Sequence, residues 1–159
     1  MTFPEADPAD IAVIESWLGH ALAARCRVVV RRVNGTPVVI ENEPHLRDGT
    51  PMPTLFWLVD PELHDAVSRL ESDGGVHRFE ALVDAEELAA THAAYEALRK
   101  SRTVRTGPVQ PSGGVGGTRV GIKCLHAHLA NFLTGAADPV GQLVADAVGV
   151  PELVMRGGD

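Results

Sequence analysis

Arg25-Cys26-Arg27-Val28-Val29-Val30-Arg31-Arg32-Val33-Asn34-Gly35-Thr36-Pro37-Val38-Val39-Ile40 is the stretch that decides the fold. Two β-branched runs flank Asn34-Gly35, a pair that accepts positive φ and closes tight hairpins. The hairpin should set a greasy face against a charged one. The run Val28-Val29-Val30 suggests partial burial on both sides. After it, Glu41 to Thr54 holds three prolines and reads as loop. Leu55-Phe56-Trp57-Leu58-Val59 then reads as a short buried strand that pairs with the hairpin. A small three-stranded antiparallel sheet follows.

Around this sheet the chain spells helices. Asp7-Pro8, Asp60-Pro61 and Asp138-Pro139 each place an N-cap residue before proline at the first helical position. Behind the first pair, Ile11, Ile14, Trp17, Leu18 and Leu22 recur at helical spacing, and Gly19 loosens the end. The second helix runs to about Ser72, where Gly74-Gly75 breaks it. Asp84 with Glu87 resembles a capping box and opens a helix from Ala85 to about Arg102, with Leu88, Ala89, His92, Tyr95 and Leu98 inward. A Gly/Pro-rich loop fills residues 103–117. Helix should resume near Thr118 and run to Leu133, stopped at Gly135. A last short helix ends near Gly149. The expectation is one α+β domain over residues 1–159, a three-stranded antiparallel sheet packed with about five helices.

Composition sets limits. The chain has 159 residues, 45% of them hydrophobic and only 4% aromatic, so Val, Leu and Ala must fill a core of ordinary size. No apolar run approaches the roughly 20 residues of a membrane span. The acidic start MTFPEADPAD lacks a secretory pattern, so a cytoplasmic location is expected. There Cys26 and Cys124 should be free thiols. A net charge of −7 argues against nucleic acid as a partner. Yet residues 97–137 contain no acid and carry Arg99, Lys100, Arg102, Arg105, Arg119 and Lys123. That segregation makes a local positive field, or else a solvated basic face neutralised by the protein's own acids.

The candidate working surface is the glycine loop and the helix expected after it. Gly114, Gly116 and Gly117 let a backbone approach a ligand, and a helix mouth presents free amides and a positive dipole end. Thr118, Arg119 and Lys123 complete an expected site for a phosphate- or carboxylate-bearing small molecule. The run is neither a Walker A loop nor a dinucleotide fingerprint. The plain alternative is a flexible linker before an ordinary helix. His126 would face the same way as Arg119 and Lys123 and serve as proton donor. Phosphoryl or acyl chemistry suits such donors if a reaction occurs. Cys124 and His128, four apart on one helical face, offer either a metal pair completed from elsewhere, for instance by Cys26, or a thiol activated by imidazole. Against both stands a buried Cys124 and a His128 bonded to a carbonyl. The Asp48–Thr54 loop is expected as the opposite wall. Glu71 is expected in a surface ion pair, and His20, His45, His64, His77 and His92 carry no assigned role. No acidic cluster supports a two-metal mechanism.

These pieces carry a resemblance. Asp48-Gly49-Thr50-Pro51-Met52-Pro53-Thr54-Leu55-Phe56-Trp57-Leu58, Ser68-Arg69-Leu70-Glu71, the block from Gly114 to His128, and Asp138-Pro139-Val140-Gly141 resemble the bacterial family of unknown function numbered 501. The likeness spans about residues 17–148. It marks Thr118, Arg119, Lys123, Cys124, His126 and His128 as signature positions and brings no activity or cofactor with it. Genes of that family often lie near septum-formation-initiator and exopolyphosphatase genes. The association implies a second reading, a non-catalytic module of the division machinery that docks its basic segment on an acidic protein surface.

Overall fold

The computed structural model describes residues 3–107 and 109–155; Pro108 of the predicted loop lies outside the described residues. The hairpin forms where Asn34-Gly35 placed it. β1 (Cys26–Arg32) and β2 (Pro37–Asn42) run antiparallel, with Gly35 at φ 92 in the turn. Their register slips on either side of Val30, a bulge that lets the Val28–Val30 run bury Val28 and Val30 while Val29 stays half-buried. β3 (Phe56–Leu58) pairs with β2 as expected. The sheet has four strands rather than three, because β4 (Leu153–Met155) adds to the free edge of β1, giving the order β3-β2-β1-β4.

β2 is central, and all six of its residues are buried, so both faces of the sheet are covered. On one face α1 (Pro8–Leu18) seals a small core of Ile14, Leu22, Cys26, Val28, Ile40 and Val59. On the other lie α2 (Pro61–Ser72), α3 (Gly75–Leu82), α4 (Ala85–Arg102), α5 (Leu125–Leu133) and α6 (Pro139–Val148), around the larger core. Among the described residues that makes six α-helices in an α+β architecture. The three Asp-Pro starts hold. Asp60 and Asp138 cap α2 and α6 through the Leu63 and Gly141 amides, whereas Asp7 makes no side-chain cap. α2 ends at Ser72, as the glycine pair at 74–75 predicts, and α3 follows directly. Gly74 (φ 85) is the N-cap of α3, and a Cβ on Gly75 would meet the Leu70 carbonyl at 2.6 Å, so the turn between α2 and α3 admits only glycine there. Among the described residues no helix is long and apolar enough to cross a membrane.

α4 is the spine that sets the loops. His92, Tyr95 and Arg99, at helical spacing on one buried face, each grip a different segment. The Tyr95 hydroxyl accepts from the Leu55 and Phe56 amides at 2.6 and 3.2 Å. Arg99, fully buried, donates Nη1 to the carbonyls of Pro53 (3.1 Å) and Gly113 (2.7 Å). His92 holds Val115 and Gly121. Ala89, expected inward, is exposed, and Arg99, expected on the basic surface, is inside.

Candidate functional site

The segment 113–124 does not fold as the sequence predicts. Helix does not begin at Thr118. Val115–Gly117 makes one 3-10 turn, Thr118 is extended at φ −105 and ψ 158, and Gly121 sits at φ +68. Two bonds between Thr118 Oγ1 and Val120, at 2.9 and 3.4 Å, fold the segment on itself. α5 starts only at Leu125, with Cys124 as its extended N-cap residue (φ −151). Three amides of the loop have internal partners as well. Gly114 N–H donates to the Thr118 carbonyl at 2.7 Å, Val115 N–H to His92 Nδ1 at 3.0 Å, and Gly117 N–H to the Gly114 carbonyl at 2.9 Å. Gly114 is glycine because a Cβ there would strike His92 at 2.4 Å, not because a ligand approaches.

The basic stretch is neutralised from within. Arg102 pairs with Glu41 and Arg105 with Glu43, both acids buried; Lys100 and Arg119 share Glu96. Arg119 stands 64% exposed, turned to Glu96 on α4. Among the described residues, Lys123 is the one of the six cations with no carboxylate or carbonyl partner.

What does converge is a cavity of about 490 Å³ between the sheet edge and α5. One wall is Pro53, Thr54, Phe56 and Trp57, so the proline loop supplies part of a wall. Gly116, Lys123, Cys124 and His126 form the other, and Leu18 and His64 close the ends. Thr118, Arg119, Gly114 and Gly117 do not line it. A larger groove of about 620 Å³ runs between α4 and α6, but its one buried acid, Asp138, is consumed by the fold.

The polar corner of the smaller cavity is built by two helices. Glu71, on α2, is not in a surface ion pair. Its Oε2 accepts the Leu125 amide at 2.9 Å, capping α5 from another helix. Its Oε1 lies 3.1 Å from His126 Nδ1. Cys124 Sγ approaches the same nitrogen at 3.8 Å. The opposite nitrogen, Nε2, lies 3.1 Å from both the His64 carbonyl and Ser68 Oγ. A carbonyl only accepts, so Nε2 carries a proton there. The His64 ring stacks on His126 with centroids 4.4 Å apart. Burial disfavours charge on His126, but the Cys124 sulfur, the Glu71 carboxylate and the His64 carbonyl outweigh it and raise its pKa. Burial and the neighbouring His126 lower that of His64. Glu71, Cys124 and His126 thus gather three ligand atoms within 4.8 Å of one another. Sequence reasoning passed over Glu71, His64 and Ser68. Their signal was positional: 64, 68 and 71 form one polar stripe on an otherwise amphipathic helix.

His128 and Cys26 go elsewhere. His128 is fully buried and turns Nδ1 to Asp138 at 2.8 Å, beneath α6. Cys26 is sealed in the α1 core; burial, with Glu5 nearby, pushes its thiol up to about 11. Neither meets Cys124.

The family model described as Protein of unknown function (DUF501) matches residues 28–146. The chain belongs to this family. Neither the curated proteins nor the solved structures hold a match to it. The matched span takes in the whole polar corner, Glu71, Cys124, His126, His64 and Ser68, together with Lys123.

Proposed function

We propose that this chain is a cytoplasmic protein that binds a small molecule with a carboxylate or phosphate head and an apolar body, in the cavity between Trp57 and Lys123. The observation that carries the reading is the meeting of one unpartnered cation with an aromatic wall. Lys123 lines the cavity without an internal acid, while Phe56, Trp57 and Leu18 supply apolar surface opposite. Small-molecule sites have this make-up, mostly apolar with a few placed polar groups. The anionic head belongs at Lys123 rather than at the amides of Gly114, Val115 and Gly117, which have internal partners. Gly116 keeps its role as the floor beside Lys123; a Cβ there would lie 3.4 Å from the lysine stem. Docking on an acidic protein through the basic segment has less support, since Arg102, Arg105, Lys100 and Arg119 already hold acids.

Trp57 gives the test a built-in reporter. Aryl and alkyl carboxylates and phosphomonoesters are titrated against tryptophan fluorescence and melting temperature. Saturable quenching with a raised melting temperature is the expected result. Lys123→Ala should weaken binding roughly tenfold or more, because a charged hydrogen bond is lost. Arg119→Ala should bind like the parent. A Kd unchanged in Lys123→Ala would overturn the assignment.

A further inference from the structure

Three donors of different chemistry meet at one point beneath the cavity: a carboxylate oxygen of Glu71, an imidazole nitrogen of His126 and the sulfur of Cys124. Their arrangement separates two kinds of chemistry. A thiol activated for nucleophilic attack leans on one imidazole nitrogen while the orienting acid holds the other. Here both the acid and the sulfur address Nδ1, at 3.1 and 3.8 Å. Nε2 is already committed to the His64 carbonyl at 3.1 Å. With Nε2–H so committed, Nδ1 is the nitrogen that faces the carboxylate and the sulfur, and the proton that lies between them in the free protein is what a metal ion would replace. Three electron-rich atoms face a common centre.

We infer that Glu71 Oε1, His126 Nδ1 and Cys124 Sγ form a binding site for a zinc-type divalent metal ion, a reading that goes beyond small-molecule binding in the cavity and does not rest on it. Bond lengths decide whether an ion fits. Zinc binds nitrogen and oxygen at about 2.0–2.2 Å and thiolate sulfur at about 2.3 Å. At a tetrahedral angle those lengths set nitrogen to oxygen at about 3.4 Å and nitrogen to sulfur at about 3.6 Å. The observed 3.1 and 3.8 Å differ by a few tenths of an ångström. The outer contacts also suit a metal. A ligating histidine donates its second N–H to a carbonyl, and a ligating carboxylate is held by its other oxygen. His126 does the first through His64, and Glu71 does the second through the Leu125 amide. The mixed sulfur, nitrogen and oxygen set selects a borderline-soft ion over magnesium or calcium. Three protein ligands leave one position for water or for a group entering from the cavity, as catalytic zinc sites do. The thiol proton and the proton between His126 Nδ1 and Glu71 leave to solvent on binding, so affinity should rise with pH.

The test uses the full chain, freed of metal by chelation and titrated with Co²⁺. A thiolate-to-cobalt band in the near ultraviolet, with visible bands of tetrahedral intensity, should saturate at one ion per chain and vanish on adding Zn²⁺. Cys124→Ser should remove the near-ultraviolet band. Glu71→Gln should weaken Co²⁺ binding by at least about tenfold, and Cys26→Ser should leave the band intact. Independently of any variant, Zn²⁺ should slow alkylation of Cys124 in the parent protein. Parent protein without the band, a band that survives Cys124→Ser, or Cys124 alkylated at the same rate with and without Zn²⁺ would each overturn the site. The cavity's ligand titration is run without metal, so either reading can fail alone.

Discussion

The ring nitrogen Nδ1 of His92 accepts the Val115 amide at 3.0 Å, so α4 grips the glycine loop from inside the protein. The same ring donates Nε2–H to the Gly121 carbonyl at 2.9 Å. The two bonds fix one neutral tautomer, since an amide must donate and a carbonyl must accept. Protonating Nδ1 would set one donor against another.

That relationship predicts a stability that falls in mild acid. Burial is the main cause holding His92 below its ordinary value, with the His128 ring adding to it and the Gly121 carbonyl and Asp138 opposing. A depressed imidazole is neutral in the fold while the unfolded chain titrates near 6.5. Its contribution is therefore complete above about pH 6.5 and is lost as pH drops below that toward the folded value. Urea midpoints between pH 7.5 and 5 should decline, and proton-exchange protection at Val115 should decline with them. His92→Gln should flatten that part of the profile. A His92 ring titrating at or above 6.5 by NMR would sink the account.

Arg99 carries a second prediction. A fully buried guanidinium with no carboxylate is a costly group, and burial, its main cause, lowers its pKa. It persists because it satisfies the Pro53 and Gly113 carbonyls, which lie on two segments bordering the cavity. Arg99→Met removes the donor and leaves both carbonyls buried, at roughly 1–3 kcal/mol each. Arg99→Lys should recover little, since the guanidinium spans three carbonyls from two nitrogens, Nη1 to Pro53 and Gly113 and Nη2 to Pro111 at 3.5 Å, and a single ammonium nitrogen cannot span all three. Chemical denaturation should show both variants destabilised, with Lys closer to Met than to the parent. The reverse order would mean that charge, not fork geometry, holds the loops.

The two thiols should behave oppositely. Cys26 is 1% exposed and its thiol is raised to about 11, so almost no thiolate forms at neutral pH and reagents cannot reach it. Cys124 is half-exposed at the cavity wall. A disulfide exchange reagent should titrate one thiol in the native protein and two in denaturant. Cys124→Ser should leave no native reaction. Two fast thiols in the folded state would contradict the sealed α1 core.

Much of the frame was legible because its signals are local. Asp-Pro pairs start three helices and Asn34-Gly35 closes the hairpin, each within a few residues of its effect. β4 was not, since Leu153–Met155 becomes a strand by meeting the β1 edge at Val30–Arg32, a partner far away in sequence. The helix expected from Thr118 failed for a related reason. Its residues allow helix, but Gly121 at φ +68 and the Glu71 cap on Leu125 postpone it. The site followed the same division. Gly116, Lys123, Cys124 and His126 lay in one readable block, whereas Glu71 and His64 reach it only through the packing of α2 against α5.

His128 supplies the last prediction, because its role is structural where a ligand was one expectation. Asp138 accepts from His128 Nδ1 (2.8 Å), Asn131 Nδ2 (3.0 Å) and the Gly141 amide (2.9 Å), all with both ring and carboxylate shut off from water. One carboxylate thus caps α6 and ties it to α5. Asp138→Ala orphans three buried donors at once, a loss of about 3–5 kcal/mol if it behaves like a broken buried pair. Asp138→Asn keeps an oxygen for the Gly141 cap but sets its amide against one of the remaining donors, so it should fall between. In a chain of this size each kcal/mol lowers the melting temperature by about 2–4 °C. Calorimetry should order the three proteins parent, Asn, Ala. Co²⁺ binding in the Asn variant should match the parent's. If Asp138→Asn abolished metal uptake while the fold survived, His128 rather than His126 would be the imidazole that matters.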